Sequence, residues 1–142
     1  MAESNRTWMR FQWAAHKLVW NLSGGRLMRK VGGMPVVELV TVGHKSGQER
    51  QILISYVDDG GAPAIIGTNA GRDANPAWVK NLRANPDARA RWDGKWRNVR
   101  GVELDGADHA RVWEQGVAAN PGYARYLDGL TRPVPIVRLE PR

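Results

Sequence analysis

The chain has 142 residues, of which 42% are hydrophobic and 25% charged, and 21 Lys and Arg against 14 Asp and Glu give a formal net charge of +7. That composition excludes a disordered chain and suits one domain around one sizeable core, with a positive balance that favours anionic partners. The absence of cysteine excludes disulfides, thiolate nucleophiles and thiolate metal sites; His16, His44 and His109 are too dispersed for a metal cluster; and no apolar run reaches the ~20 residues of a membrane span.

The charge is uneven: residues 1–50 carry eight basic and three acidic groups, and 51–142 carry thirteen and eleven. Within the basic third, Trp8, Phe11, Ala15, Leu18, Val19 and Leu22 recur at helical spacing and predict an amphipathic helix over 7–22, ended by Gly24-Gly25. Arg6, Arg10 and Lys17 flank its apolar stripe. Such a helix either packs on the domain or rests on an anionic membrane surface, where Trp and Phe beside Arg and Lys suit the headgroup region. The N-terminus has no signal-peptide pattern, so a cytoplasmic location, peripheral on the inner membrane face in the second case, is expected.

From Met34 the pattern turns to strands, at 35–42 and 50–57, and Asp58-Asp59-Gly60-Gly61 then turns the chain into a third over 62–68. Asn75-Pro76 predicts a short helix with Asn75 as N-cap and Pro76 in its first position, ending near Asn85-Pro86. Strands at 88–92 and 95–104 flank Asp93-Gly94, a strong hairpin signal. Asp105 caps a helix running to about residue 119, and 134–139 is a last strand. Antiparallel strands with inserted helices predict a mainly β, α+β fold: a small barrel with helices, not a doubly wound sheet.

The segment Thr41-Val42-Gly43-His44-Lys45-Ser46-Gly47-Gln48-Glu49-Arg50 joins two strands through glycines, cations, a hydroxyl and an imidazole. It reads either as an anion-binding turn, with backbone N–H groups and charge-assisted hydrogen bonds, or as a solvated hairpin tip. It lacks the spacing of a Walker loop. Gly67-Thr68-Asn69-Ala70-Gly71 reads as a loop flat enough to receive a planar ligand or as an ordinary strand-to-helix connection. Trp78 and Asn81 share one helix face, with Trp78 either core or pocket wall, and Tyr123 and Tyr126 form either an aromatic pocket edge with proton-donating hydroxyls or core packing. No nucleophile elbow or close carboxylate pair is present, so a bound cofactor would have to supply any reactivity.

Gly43-His44-Lys45-Ser46-Gly47-Gln48-Glu49-Arg50, the block Asn75-Pro76-Ala77-Trp78-Val79-Lys80-Asn81-Leu82-Arg83-Ala84-Asn85-Pro86, Tyr123-Ala124-Arg125-Tyr126 and Arg132-Pro133-Val134-Pro135-Ile136-Val137 together resemble the deazaflavin-dependent nitroreductase family, in group A of the flavin/deazaflavin oxidoreductases. The resemblance implies a single split β-barrel domain over 1–142, related to flavin-binding barrels. Residues 1–33 would be an N-terminal helical segment and 34–142 the barrel with inserted helices. It also implies coenzyme F420, hydride transfer to a quinone, enone or nitro-type small-molecule acceptor, and actinobacterial origin. Some members touch the membrane surface through the N-terminal helix, here residues 7–22.

By the same resemblance His44, Lys45, Ser46 and Arg50 hold the phosphate and tail of the coenzyme, while Gln51, Ile52, Leu53, Gly67, Thr68, Asn69, Ala77, Trp78 and Asn81 line its ring and side chain. Thr68, Tyr123 and Tyr126 are the catalytic candidates for stabilising charge or supplying a proton, and with Ser55 they form the acceptor site. No metal is implied. His44 replaces a usual arginine, Leu53 a frequent proline, and Ser55 an aromatic residue of some nitro-reducing relatives, which leaves a roomier, more polar pocket. A non-catalytic cofactor- or lipid-binding protein on the same fold is the alternative. A nucleic-acid partner is not expected: Trp92 and Trp96 beside Arg91, Lys95 and Arg97 are explained more simply by cross-strand packing in a hairpin.

Overall fold

The computed structural model of the protein describes residues 30–31 and 34–142. The helix expected over 7–22, and the membrane contact assigned to it, lie outside the described residues. The strands are β1 (Lys30–Val31), β2 (Met34–Val42), β3 (Glu49–Ser55), β4 (Val57–Asp59), β5 (Ala62–Ile66), β6 (Asp87–Trp92), β7 (Lys95–Glu103) and β8 (Ile136–Pro141). The helices are α1 (Ala77–Ala84), α2 (Gly106–Ala119) and α3 (Gly122–Tyr126). Every strand pairing is antiparallel, in the order β1-β2-β6-β7-β8-β5-β4, with β3 also on β2.

The expected strand over 50–57 is in fact two. β3 pairs with β2 and β4 with β5, and the break falls at Tyr56, whose N–H donates to Pro35 O at 3.0 Å. One stretch of chain therefore serves both ends of the sheet path and curls it into a barrel. Period-2 alternation then sorts side chains between two cores. Val37, Leu39, Ile65, Val137 and Leu139 pack inside the barrel with Trp78, Val79 and Leu82 of α1. Ala64, Ile66 and Ile136, on the opposite face of the same strands, pack with Val112 of α2 and Tyr123 of α3. Gly116 permits this second contact, because a Cβ there would lie 2.3 Å from Ile66 Cδ1.

Both two-residue hairpins form as expected. Gly60 and Gly61 have φ +66° and +93°, and Asp93 and Gly94 have φ +52° and +73°, as a turn matched to strand twist requires. The strand expected over 62–68 stops at Ile66, since the Gly67 N–H turns to Pro135 O at 2.8 Å; the last strand runs over 136–141. Asn75 does not cap α1. Pro76 occupies the cap position and its carbonyl accepts from the Val79 and Lys80 N–H groups, while the Asn75 side chain is taken by Arg132. Asp105 sits at the cap position of α2 without a side-chain capping bond. Helix α3 and the single 3-10 turns Asn69–Gly71 and Leu127–Gly129 have no counterpart in the sequence reading.

Arg97 lies over the buried Trp92 ring at 4.1 Å, and Arg89 and Arg91 lie over Trp96 at 5.3 and 5.1 Å, which is the cross-strand packing expected of this hairpin.

Asp59 fastens α2 to the sheet, accepting from Arg111 at 2.9 Å and Arg138 at 3.0 Å. Burial alone would raise its carboxyl, but the hydrogen bonds and charges of Arg138 and Arg111 outweigh it and hold the group below the ordinary 3.8. A pKa that is lower folded than unfolded contributes stability that is complete above the unfolded value and lost as pH falls through the folded one. Asp59→Asn is expected to lower stability to urea at neutral pH, and the gap to wild type should narrow as pH falls below the ordinary carboxyl value of 3.8 and close once the folded-state carboxyl is protonated. A gap of equal size at neutral and at strongly acidic pH would show that the pair does not act through its charge.

Candidate functional site

The β2–β3 connection is a closed turn. The Gly43 N–H donates to Gln48 O at 2.7 Å and the Gly47 N–H to Gly43 O at 2.9 Å. Gly47 has φ +70°, and a Cβ on Gly43 would lie 2.7 Å from Ser46 Oγ and 3.1 Å from Gln48 O, so both positions favour glycine. Ser46 Oγ accepts from the Gln48 N–H at 3.2 Å and from Arg50 Nη2 at 3.5 Å.

This turn is tied to α1 through one buried amide. Asn81 Oδ1 accepts from the His44 backbone N–H at 2.9 Å and lies 2.7 Å from its Nδ1, which must therefore carry the proton. Asn81 Nδ2 donates to Thr41 Oγ1 at 3.0 Å. Asn81 and Thr41 are 3% and 2% exposed, so each satisfies a partner that water cannot reach.

Between turn and helix lies a cleft of about 390 Å³ lined by Gly43, His44, Lys45 and Ser46 from the turn, Thr41, Arg50, Gln51 and Ile52 from the strands, and Ala77, Trp78 and Asn81 from α1. Nine residues expected at the coenzyme site thus meet there: His44, Lys45, Ser46, Arg50, Gln51, Ile52, Ala77, Trp78 and Asn81. Trp78 serves both readings made of it, since it is in the core and also walls the cleft. No carboxylate among the described residues lines the cleft. Among the described residues neither Lys45 nor Arg50 pairs with an acidic group, whereas neighbouring Glu49 is engaged by Arg89 at 3.3 Å. The arrangement offers unneutralised cations at one side and a flat, largely apolar wall at the other.

The other expected residues lie outside this lining. Leu53 and Ser55 are on β3 opposite Glu38 and Val36. Gly67, Thr68 and Asn69 start the β5–α1 connection, with Thr68 buried and Asn69 Nδ2 donating to Ala74 O at 2.9 Å. Tyr123 is buried in the second core, its ring 6.5 Å from those of both Trp113 and Tyr126. Burial, helped by Tyr126, pushes its phenol up, so it keeps its proton. Tyr126 is half-buried and packs on Gly71, where a Cβ would come within 3.3 Å of Tyr126 Cδ1, so the tyrosine pair meets the far part of the connection.

Thr41 and Gly43 join the cleft too; both belong to the segment read as an anion-binding turn but were not among the residues expected at the coenzyme. The available signal for Thr41 was a hydroxyl in an apolar strand, on the same alternation as Val37 and Leu39. Asn81→Ala strands the Thr41 hydroxyl and frees the turn from α1; a loss of about 1–3 kcal/mol in urea unfolding is expected. A loss near zero would show that the amide bridge is incidental.

The sequence and the fold have counterparts among known proteins. A family model described as F420H(2)-dependent quinone reductase matches residues 8–141. An F420H(2)-dependent quinone reductase of Mycobacterium tuberculosis is 31% identical over 131 residues, which cover 89% of this chain and 88% of that protein. Among solved structures, an F420-H2 dependent reductase superposes with a TM-score of 0.68 at 30% identity, over 75% of this chain and 94% of that one. A domain-swapped dimer superposes with a TM-score of 0.70 at 27% identity, over 96% and 99%. The chain belongs to the F420H(2)-dependent quinone reductase family, and is a split-barrel oxidoreductase whose coenzyme is the deazaflavin F420.

Proposed function

We propose that the protein reduces a quinone with F420H2, and that the coenzyme lodges in the cleft between the β2–β3 turn and α1. The observation that carries this reading is the cleft's charge: Lys45 and Arg50 line it beside the His44 imidazole, and no carboxylate among the described residues does. The phosphodiester and oligoglutamate tail of the coenzyme are anionic, so the donor set fits them. Lys45, Ser46 and Arg50 would hold that tail, with His44 in place of the arginine usual in relatives. Gln51, Ile52, Leu53, Ala77, Trp78 and Asn81 would lie along the ring, and Gly67, Thr68 and Asn69 would close its far edge. When bound, the reduced deazaflavin supplies a hydride from its C5 carbon.

A quinone that accepts a hydride holds negative charge on oxygen until a proton arrives, and the protein has to supply a donor. Tyr126 is our first candidate, because it is half-buried and packs against Gly71 of the connection that also presents Thr68. Tyr123, fully protonated in its core setting, would orient Tyr126 edge-on, and the Thr68 hydroxyl is the second donor. Ser55, small and polar, would leave room for a quinone ring.

We further place the enzyme in the cytoplasm, with residues 7–22 against the inner membrane face, a reading that rests on the cationic and aromatic composition of that segment. No helix among the described residues is long and apolar enough to cross a membrane.

Fluorescence titration with F420, beside flavin mononucleotide as control, tests the cleft. Lys45→Ala and Arg50→Ala should each weaken F420 binding about tenfold through loss of a charge-assisted hydrogen bond, with folding intact; unchanged affinity in both would move the tail elsewhere. Tyr126→Phe should lower turnover with a quinone about tenfold or more and leave F420 affinity within about twofold. Equal turnover would remove Tyr126 as the donor.

A further inference from the structure

Arg132 lies between α3 and β8 and does not line the cleft. Its Nη1 donates to Asn75 Oδ1 at 3.0 Å, Gly67 O at 3.2 Å and Pro133 O at 3.4 Å, and its Nη2 donates to Thr68 O and Arg72 O at 3.1 Å each. Four of these five acceptors belong to the β5–α1 connection, from its first residue to the one before Pro76. Nε is buried and has no partner among the described residues, so the side chain acts through the two ends of its fork.

The same stretch of chain grips the connection elsewhere. The Thr131 N–H donates to Asp73 at 2.8 Å and its hydroxyl donates to the same carboxylate; the Gly67 N–H donates to Pro135 O at 2.8 Å. The connection is itself strained. Asn69, Ala70 and Gly71 have φ of +55°, +54° and +82°, a left-handed run in which Asn69 and Ala70 carry a Cβ. Such a conformation persists only where its surroundings over-determine it. Arg132 supplies much of that restraint, because it holds the carbonyls on either side of the strained residues.

The connection ends at Asn75-Pro76, and α1 begins at Ala77. Among the described residues, Arg132 is thus the one side chain that hydrogen-bonds both Gly67, the residue after β5, and Asn75, which leads into the cleft's helical wall. We infer that Arg132 is a positioning residue for the coenzyme cleft: by joining Gly67 and Thr68 to Asn75 it fixes the first turn of α1, and with it Ala77 and Trp78, relative to the sheet. This rests on the assignment of the cleft to F420. A planar fork that reaches four acceptors in different directions is beyond a lysine, whose ammonium is a single point of charge.

The test is a double-mutant cycle read by F420 fluorescence titration, with thermal unfolding followed alongside. Arg132→Lys keeps the net charge and should weaken F420 binding about tenfold; Asn75→Ala, which leaves Arg132 in place, should weaken it about threefold. The double variant should bind no more weakly than Arg132→Lys alone, because both changes break the same link. Arg132→Lys combined with Lys45→Ala should instead multiply, since those residues act on opposite sides of the cleft. Wild-type affinity in Arg132→Lys, or penalties of Asn75→Ala and Arg132→Lys that multiply, would overturn the inference while leaving the cleft assignment standing. If Arg132→Lys does not fold, Asn75→Ala decides alone: a threefold loss at an unchanged unfolding temperature supports the link, and wild-type affinity refutes it. Failure of the wild-type protein to bind F420 would reject the cleft assignment, and the inference with it.

Discussion

The structure turns on a strand that changes partners. Residues 49–55 pair with β2 and residues 57–59 with β5, and the exchange happens at Tyr56, which is 6% exposed and gives its N–H to Pro35 O. A strand that kept one partner throughout would leave the sheet open and its edge groups unpaired. The closure also decides where a ligand can enter. On the inward face, Val37 stands opposite Ile54, Leu39 opposite Ile52, and Thr41 opposite Arg50. That row passes from apolar to polar as it leaves the core, and the cleft begins where the core ends.

Helix α1 belongs to both regions. Trp78, Val79 and Leu82 are buried against the barrel interior, while Ala77, Trp78 and Asn81 face the cleft. The site therefore inherits its rigidity from core packing, since a shift of the helix would disturb side chains already at interior density. Asn81 adds direction: one amide satisfies Thr41 below it and His44 above it. The His44 ring is thereby fixed in one tautomer by a residue of the core.

The charges divide in a way that suits an anionic coenzyme. Glu38 is buried against Arg91, Glu49 is held by Arg89, Asp59 by Arg111 and Arg138, and Glu103 by Arg83. These pairs join strands and helices to one another. Lys45 and Arg50 stay outside them, on and just beyond a turn whose glycines leave the backbone close to any ligand. Net positive charge alone would attract many anions; two cations beside the Trp78 indole would, in the proposed site, favour one that is both charged and planar.

The sequence by itself determined the features that depend on neighbours in the chain. The glycine-bearing hairpins, the strand alternation and the extent of α2 follow from backbone preferences that act within a few residues, and the Lys-Ser-Gly turn and the Asn-Pro-x-Trp block carry the family and its coenzyme in plain view. Nine of the coenzyme residues expected on that ground meet in one cleft. Only the tertiary structure decided the break at Tyr56, the role of Thr41 and the fate of Asn75. Asn75 has the local chemistry of a helix cap, yet Arg132, 57 positions away, takes its side chain. Local propensity ranks what a residue can do with its neighbours; a half-buried guanidinium with five carbonyl and amide acceptors in reach outweighs one capping bond, and no pattern along the chain records that it will arrive there.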